Sequence, residues 1–219
     1  MRLRSQRGDI RALVLDAAYR EFVEHGVAGT TLAAIAARAG VRTGAARAEF
    51  ATTDEIVLTL MREQVVGYVD AALVAFGDGT ETEGLARMAE ALTARVRSSA
   101  GWHQILTEYY ALAHRDEQRA AALRRERAAL REVVGRALAV FVDGGRVGAL
   151  LTADDMAVVL LALTNGLSFE AGIDPDAVPA DLLSRVLMLG ADGVASPAVT
   201  GATVPAVTAV AAAAEARPA

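Results

Sequence analysis

The chain has 219 residues, of which 53% are hydrophobic and 22% are charged, and its formal net charge is −5. Such a chain can bury a substantial core, which excludes wholesale disorder. The absence of cysteine excludes a disulfide scaffold, a thiolate metal site and a cysteine nucleophile. Residues 1–50 carry a net charge of +3 and residues 51–219 a net charge of −8. This asymmetry favours an N-terminal segment that binds a polyanion, and the alternative is a chance distribution of the charges.

The first 50 residues predict three short helices. Apolar residues recur at three- and four-residue steps from Asp9, a natural N-cap, until Gly26 ends the first helix. A second helix opens at Thr31 and closes at Gly40, and a third lies between about residues 43 and 50. Two short helices joined by a glycine-containing turn predict a helix-turn-helix.

The remaining chain predicts a larger helical bundle. Thr52 and Glu55 form a capping box that opens a fourth helix, which we expect to run to Phe76 before Gly77-Asp78-Gly79. Further helices are expected at 81–99, 102–115, 117–142, 153–172 and 179–193. The predicted fold is therefore all-α with about nine helices, divided into a helix-turn-helix domain (1–50), a helical domain (51–195) and a disordered tail (196–219).

The helix at 153–172 is apolar on every side, so it needs cover all round. We expect a homodimer through 153–172 and 179–193, with a buried helix of a monomer as the alternative. The uncharged stretch 193–214 contains two prolines and mostly small residues, which argues against a membrane span. The basic start has no apolar stretch behind it, so a cytoplasmic protein is expected.

The sequence resembles the TetR family of bacterial transcriptional regulators. The stretches that carry the resemblance are FVEHGVAGTT, LAAIAARAGVRTGA, Phe50 and TTDEIVLTLM, and, more weakly, VLLALTNGLSFEAGIDPDAVPADLLSRVL near the C-terminus. The resemblance implies an all-helical homodimer whose two N-terminal domains read a palindromic operator about one DNA turn, or roughly 34 Å, apart. It also implies a C-terminal domain that holds a small effector and changes the spacing of the two reading domains.

This chain departs from the family where DNA would be touched. In place of the family's usual Thr-Leu-Tyr-His-Tyr-Phe, it has Ala45 to Glu49 and keeps only Phe50, and Thr53 replaces a phosphate-binding lysine. Arginine at either 42 or 47 can still contact phosphate or guanine. Glu49 would repel phosphate if it faced the DNA. The predicted DNA-binding residues are Thr31, Arg38, Arg42, Thr43, Arg47, Thr52 and Thr53.

The predicted effector site gathers large or polar side chains that are unusual in an alanine-rich bundle. They are Trp102, His103, Tyr109, Tyr110, Asn165 and Phe169, and the alternative for each one is an ordinary core role. Tyr109 and Tyr110 are adjacent in sequence, so only one of the two should face a pocket. The histidines are too far apart to share a metal ion, and no catalytic motif is present, so neither a cofactor nor an enzyme is expected.

We therefore predict a ligand-responsive transcriptional regulator, a repressor that binds a palindromic operator as a homodimer and releases it when a small apolar or aromatic effector binds. The alternative is a TetR-like dimeric protein that binds a small molecule or a partner and has weakened or lost DNA binding. An enzyme has no motif in its favour.

Overall fold

A computed structural model describes residues 2–77, 81–142 and 151–186. Across these residues the chain is helical, without a β-strand, which confirms the predicted all-α fold. The helices are α1 (Arg2–His25), α2 (Leu32–Arg38), α3 (Thr43–Glu49), α4 (Thr53–Phe76), α5 (Glu81–Arg97), α6 (Ala100–Ala113), α7 (Glu117–Val142) and α8 (Ala153–Ile173), and a short helical segment covers 182–186. The tail predicted at 196–219 and the end of the helix predicted at 179–193 lie outside the described residues.

Glycines end the first two helices as the sequence predicts. Gly26 follows α1 with φ +74°, and Gly40 follows α2 with φ +68°, a left-handed conformation that glycine adopts without strain. Thr31 begins α2 as its N-cap, because its side-chain oxygen accepts a hydrogen bond from the Ala34 amide at 3.2 Å. α1 extends further back than the expected start at Asp9, since no proline interrupts the helix there and a single glycine at position 8 costs only about 1 kcal/mol.

The predicted cap of α4 is present in a modified form. The Thr52 side-chain oxygen accepts a hydrogen bond from the Glu55 amide at 3.1 Å, and the Glu55 carboxylate accepts one from the Ala51 amide at 2.9 Å. The return bond therefore goes to the residue before the cap and not to the cap itself. α8 opens with the complete capping box, in which Thr152 and Asp155 each accept a hydrogen bond from the other's backbone amide.

The described chain divides into two compact units. The first unit holds residues 2–64 and 101–126, and the second holds 65–77, 81–100, 127–142 and 151–186. Aromatic and branched side chains fill the core of the first unit, with Phe22, Ile35, Phe50, Ile56 and Tyr109 fully buried. In the second unit, Tyr68, Met88, Leu92 and Leu183 pack in one cluster with Ala72 and Ala89. The domain limits predicted from the sequence, at residues 50 and 195, stay a prediction.

α8 is unusually apolar. Among the described helices it alone is long and apolar enough to cross a membrane by length and composition, and 28% of its most apolar window is buried. One such helix is weak support for a membrane span, because a helix from a protein core or interface passes the same test.

Candidate nucleic-acid interface and internal cavity

One side of α3 is open to solvent. Thr43, Gly44, Arg47 and Ala48 are exposed and lie on adjacent positions of the helix surface, while Ala46 on the opposite side is buried. The two small residues, Gly44 and Ala48, leave room beside Thr43 and Arg47, and a Cβ at Gly44 would meet no atom within 4 Å. This surface can approach a polyanion closely and offers a guanidinium and a hydroxyl. Sequence reasoning missed the contribution of the two small residues.

Arg42 adjoins this surface, and Arg11 contacts the residue that ends α3. Arg42 is the N-cap residue of α3, has an extended backbone and is exposed. The Arg11 guanidinium of α1 lies 4.5 Å from the centre of the Phe50 ring, a cation–π contact on the residue that ends α3. The family aromatic that this chain retains is therefore a buried packing residue, and Arg11 packs over its ring. Arg11 carries no signal in the sequence, because its contact depends on tertiary packing.

Arg38 is already occupied by carboxylates. Its Nε lies 2.5 Å from Glu21 Oε1, and its Nη1 donates to Glu24 Oε1 at 2.8 Å. These bonds lower the pKa of Glu24 and raise the pKa of Arg38. The guanidinium therefore joins α2 to α1. The phosphate contact predicted for Arg38 stays a prediction, and it would require the guanidinium to share or leave these partners.

The predicted threonines lie at helix starts. Thr31 and Thr52 are exposed N-caps whose side-chain oxygens accept backbone hydrogen bonds, so each hydroxyl proton is still available for a second acceptor such as a phosphate oxygen. Thr53, the first residue of α4, is half-buried. The DNA-contact roles predicted for Thr31, Thr52 and Thr53 stay predictions.

The six residues predicted to bind an effector fall in different units. Trp102, His103 and Tyr109 are buried in the first unit and Tyr110 is half-buried there, whereas Asn165 and Phe169 lie on α8 in the second unit. Burial, together with the nearby Asp54 carboxylate, raises the pKa of Tyr109, which keeps this phenol neutral. The structure does not gather these residues around one described cavity. Within the described residues, no group of three or more side chains could hold a metal ion.

An apolar cavity of about 40 Å³ lies within the second unit. Thirteen residues of α4, α5, α7 and α8 line it: Val65, Tyr68, Val69, Ala72, Leu73, Met88, Leu92, Val134, Ala137, Leu138, Leu160, Leu161 and Thr164. Both hydroxyls in this lining are engaged within the protein, because Tyr68 bonds Ser99 Oγ at 3.1 Å and Thr164 donates to the Leu160 carbonyl at 2.9 Å. The cavity therefore favours an uncharged apolar group. Sequence patterns did not indicate it, because its lining comes from four separate helices.

One turn beyond Thr164 on α8, the Ser168 hydroxyl is buried and has no hydrogen-bond partner among the described residues. An unpaired buried hydroxyl costs free energy. Ser168 thus offers a single hydrogen-bonding group on the helix that also lines the cavity. It was not among the predicted site residues.

α8 also presents large apolar side chains to solvent. Val158, Val159 and Phe169 are between 41% and 47% exposed, and Ile173 is 68% exposed. The described chain therefore leaves part of α8 uncovered, as the sequence pattern predicted. Exposed apolar side chains of this size are typical of protein–protein contact surfaces.

The chain matches two family models. The model of bacterial regulatory proteins of the tetR family matches residues 14–60, which include α2 and α3, and the model described as BetI-type transcriptional repressor, C-terminal, matches residues 81–195. No curated protein matches the chain. Among solved structures, a transcriptional regulator from Pseudomonas aeruginosa PAO1 is 20% identical, with a TM-score of 0.62 over 84% of this chain and 88% of that chain.

Two ligand complexes show the same fold. The multidrug binding protein EbrR complexed with imidazole is 25% identical, with a TM-score of 0.57 over 86% of this chain and 92% of that chain. The SmeT–triclosan complex is 21% identical, with a TM-score of 0.60 over 90% of this chain and 97% of that chain. The first family model covers α2 and α3, the predicted helix-turn-helix, and the second covers α5 to α8. The chain belongs to the TetR family of transcriptional regulators.

Proposed function

We propose that this protein is a repressor that binds a palindromic operator as a homodimer and releases it when an apolar or aromatic effector binds. The observation that carries the proposal is the exposed side of α3, where Thr43 and Arg47 lie beside small residues and Arg42 is the N-cap residue. Arginine can contact phosphates or form two hydrogen bonds with guanine in the major groove. The regulator works in the cytoplasm and catalyses no reaction.

The apolar cavity of the second unit supports an uncharged effector. Its lining holds no charged side chain, and the two hydroxyls that reach it are bonded within the protein. Burying an unpaired charge there would cost several kcal/mol, on the order estimated for isolated ions in proteins. The family neighbours EbrR and SmeT have been solved with imidazole and with triclosan, two small aromatic molecules. An uncharged apolar or aromatic effector matches the chemistry of this lining, and the cavity of about 40 Å³ would have to widen to admit one.

The exposed apolar face of α8 supports the homodimer. Two copies that pair through this face would cover Val158, Val159 and Phe169, which water otherwise touches. A two-fold dimer presents two copies of α3, which matches the symmetry of a palindrome. Sedimentation tests this step: the wild type should be a dimer at micromolar concentration, and Phe169→Glu should shift it toward monomer. Val74→Glu, at a 70% exposed position of α4, should leave the dimer intact.

A salt titration of DNA binding tests the whole proposal. The probe is a duplex that the wild-type protein selects from a random-sequence library, and binding is followed by fluorescence anisotropy. If Arg47 contacts phosphate, Arg47→Ala should weaken binding and flatten the dependence of log Kd on log salt by about 1 for each subunit. Arg124→Ala is the control, because this exposed arginine pairs with Glu117 on α7. Failure to select any duplex would reject DNA reading.

The second candidate is a dimeric protein that keeps the ligand cavity but reads DNA weakly. The observation that favours it is that two carboxylates hold the guanidinium of Arg38, one of the three arginines in 32–49. Under this alternative the wild type would bind every duplex equally and weakly, and Arg47→Ala would change nothing.

A further inference from the structure

The turn between α1 and α2 donates two backbone hydrogen bonds to one carboxylate. The Val27 amide donates to Glu108 Oε2 at 2.8 Å, and the Ala28 amide donates to Glu108 Oε1 at 2.9 Å. Each carboxylate oxygen thus accepts one amide of the turn. Glu108 belongs to α6, about 80 residues further along the chain, and both segments lie in the first unit. Hydrogen bonds to an ionised acceptor are roughly twice as strong as neutral ones.

Gly26 makes room for this carboxylate. Its φ of +74° turns the chain so that the next two amides point toward α6. A Cβ at this position would lie 3.0 Å from both carboxylate oxygens of Glu108. Glycine is therefore needed here for its conformation and for its lack of a side chain, which shows that the carboxylate and the turn fit each other closely.

The turn held by Glu108 leads directly into α2. Thr30 donates its hydroxyl proton to the Gly26 carbonyl at 2.7 Å, and Thr31 is the N-cap of α2. Gly29, Thr30 and Thr31 separate the Ala28 amide from Leu32, the first residue of α2. A shift of the Glu108 carboxylate would therefore move the start of α2, and α2 packs against α3.

Two more residues of α6 meet α1 on the same side as Glu108. A Cβ at Gly101 would lie 2.7 Å from the Tyr19 hydroxyl oxygen, so α6 and α1 approach closely at that point. Gln104 donates its side-chain amide to the Val23 carbonyl at 3.3 Å. Positions 101, 104 and 108 are spaced three and four apart and share one face of α6. α6 thus contacts α1 along this face and reaches the following turn through Glu108.

We infer that Glu108 is a positioning residue for DNA reading: through the amides of Val27 and Ala28 it fixes the start of α2, so the place of the reading helices follows the place of α6. This inference rests on the proposed function and adds the residue through which α6 controls the reading surface. Glu108 lies in α6, outside the exposed side of α3, and acts through the turn and not by touching DNA.

Glu108→Gln tests the inference with little change of shape. Its amide retains one acceptor oxygen but places an NH₂ group against the second backbone amide, so one of the two bonds is lost. Losing a negative charge would by itself strengthen binding to a polyanion. A positioning role predicts the opposite sign, a Kd raised about tenfold, the size expected for one lost charge-assisted hydrogen bond. The salt slope should stay that of the wild type, because no phosphate contact is removed.

Glu117→Gln is the matched control, since it removes the same charge from an exposed carboxylate on α7. It should bind at least as tightly as the wild type. Amide hydrogen exchange at Val27 and Ala28 gives an independent readout, and it should accelerate in Glu108→Gln while exchange in the middle of α4 does not change. This second measurement separates a local effect on the turn from general loss of folding.

The outcomes are distinct. If the wild type selects no duplex, the proposed function fails and the inference falls with it. If the wild type reads DNA and Glu108→Gln has the wild-type Kd, or a Kd that falls as in the control, the inference alone is overturned. A raised Kd with a flattened salt slope would also overturn it, because Glu108 would then be acting through lost phosphate contacts. A raised Kd with an unchanged slope and faster exchange at the turn supports it.

Discussion

The ion pair between Arg62 and Glu126 tests how burial determines the contribution of an ion pair to the free energy of unfolding. Arg62 on α4 donates through Nε to Glu126 Oε1 at 2.9 Å and through Nη2 to the other carboxylate oxygen, so the pair is bidentate. The Glu126 side chain is 9% exposed, and that of Arg62 is 36% exposed. Arg62→Ala would leave a carboxylate on α7 with little access to water and without its partner.

Removing one partner of a fully buried pair costs about 3–5 kcal/mol, whereas exposed pairs contribute about 0–1 kcal/mol. Because Arg62 is about one-third open to solvent, we expect an intermediate loss of about 2 kcal/mol in the free energy of unfolding. Urea unfolding followed by helical circular dichroism measures it. Arg124→Ala is the control, since that pair with Glu117 is 64% and 83% exposed and should cost at most about 0.5 kcal/mol. Equal losses in the two variants would refute the argument from burial.

Two further predictions concern the second unit. Val69→Ile adds one methyl group to the lining of the apolar cavity and should raise the free energy of unfolding by up to about 0.8 kcal/mol. Val74→Ile is the control, because position 74 is 70% exposed and the added methyl group should not raise the free energy of unfolding. Destabilisation by Val69→Ile would show that the cavity cannot accept a methyl group. Hydrogen bonds from Thr152 lower the pKa of the Asp155 carboxyl in the folded protein. The cap therefore stabilises the fold fully at a pH above the unfolded pKa of this carboxyl, about 4. This stabilisation is lost as the pH falls through the lower pKa of the folded state. Asp155→Asn should therefore show a smaller loss of stability on acidification than the wild type, and an unchanged pH dependence would contradict this.

Local signals in the sequence were sufficient for the existence of the helices and for the ends that glycine or threonine marks, but not for the start of α1. Gly26 and Gly40 mark the ends of α1 and α2, and Thr31 and Thr52 mark the starts of α2 and α4, because capping depends on residues only a few positions apart. The exposed apolar face of α8 also followed from its composition. These features are encoded within one or two helical turns.

Long-range pairings were not accessible from the sequence. Arg38 was predicted as a candidate DNA contact, but nothing local indicates that Glu21 and Glu24 of α1 would hold its guanidinium. Likewise, the clamp by Glu108 joins segments about 80 residues apart. The cavity was not predicted, for a related reason. Most of the aromatic residues that were predicted to bind an effector lie on α6, whereas residues from four other helices, mostly small or branched, line the cavity.

The engagement of Arg38 has a consequence for how the protein would search a genome. Among the three arginines in 32–49, Glu21 and Glu24 hold Arg38, which leaves Arg42 and Arg47 for phosphate, or four arginines in a dimer. At about 0.9 counterions released per phosphate neutralised, four contacts give a slope of about −4 in log affinity against log salt. Attachment of this surface to random sequence would then be brief, and the search would proceed more by repeated three-dimensional encounters than by long one-dimensional sliding.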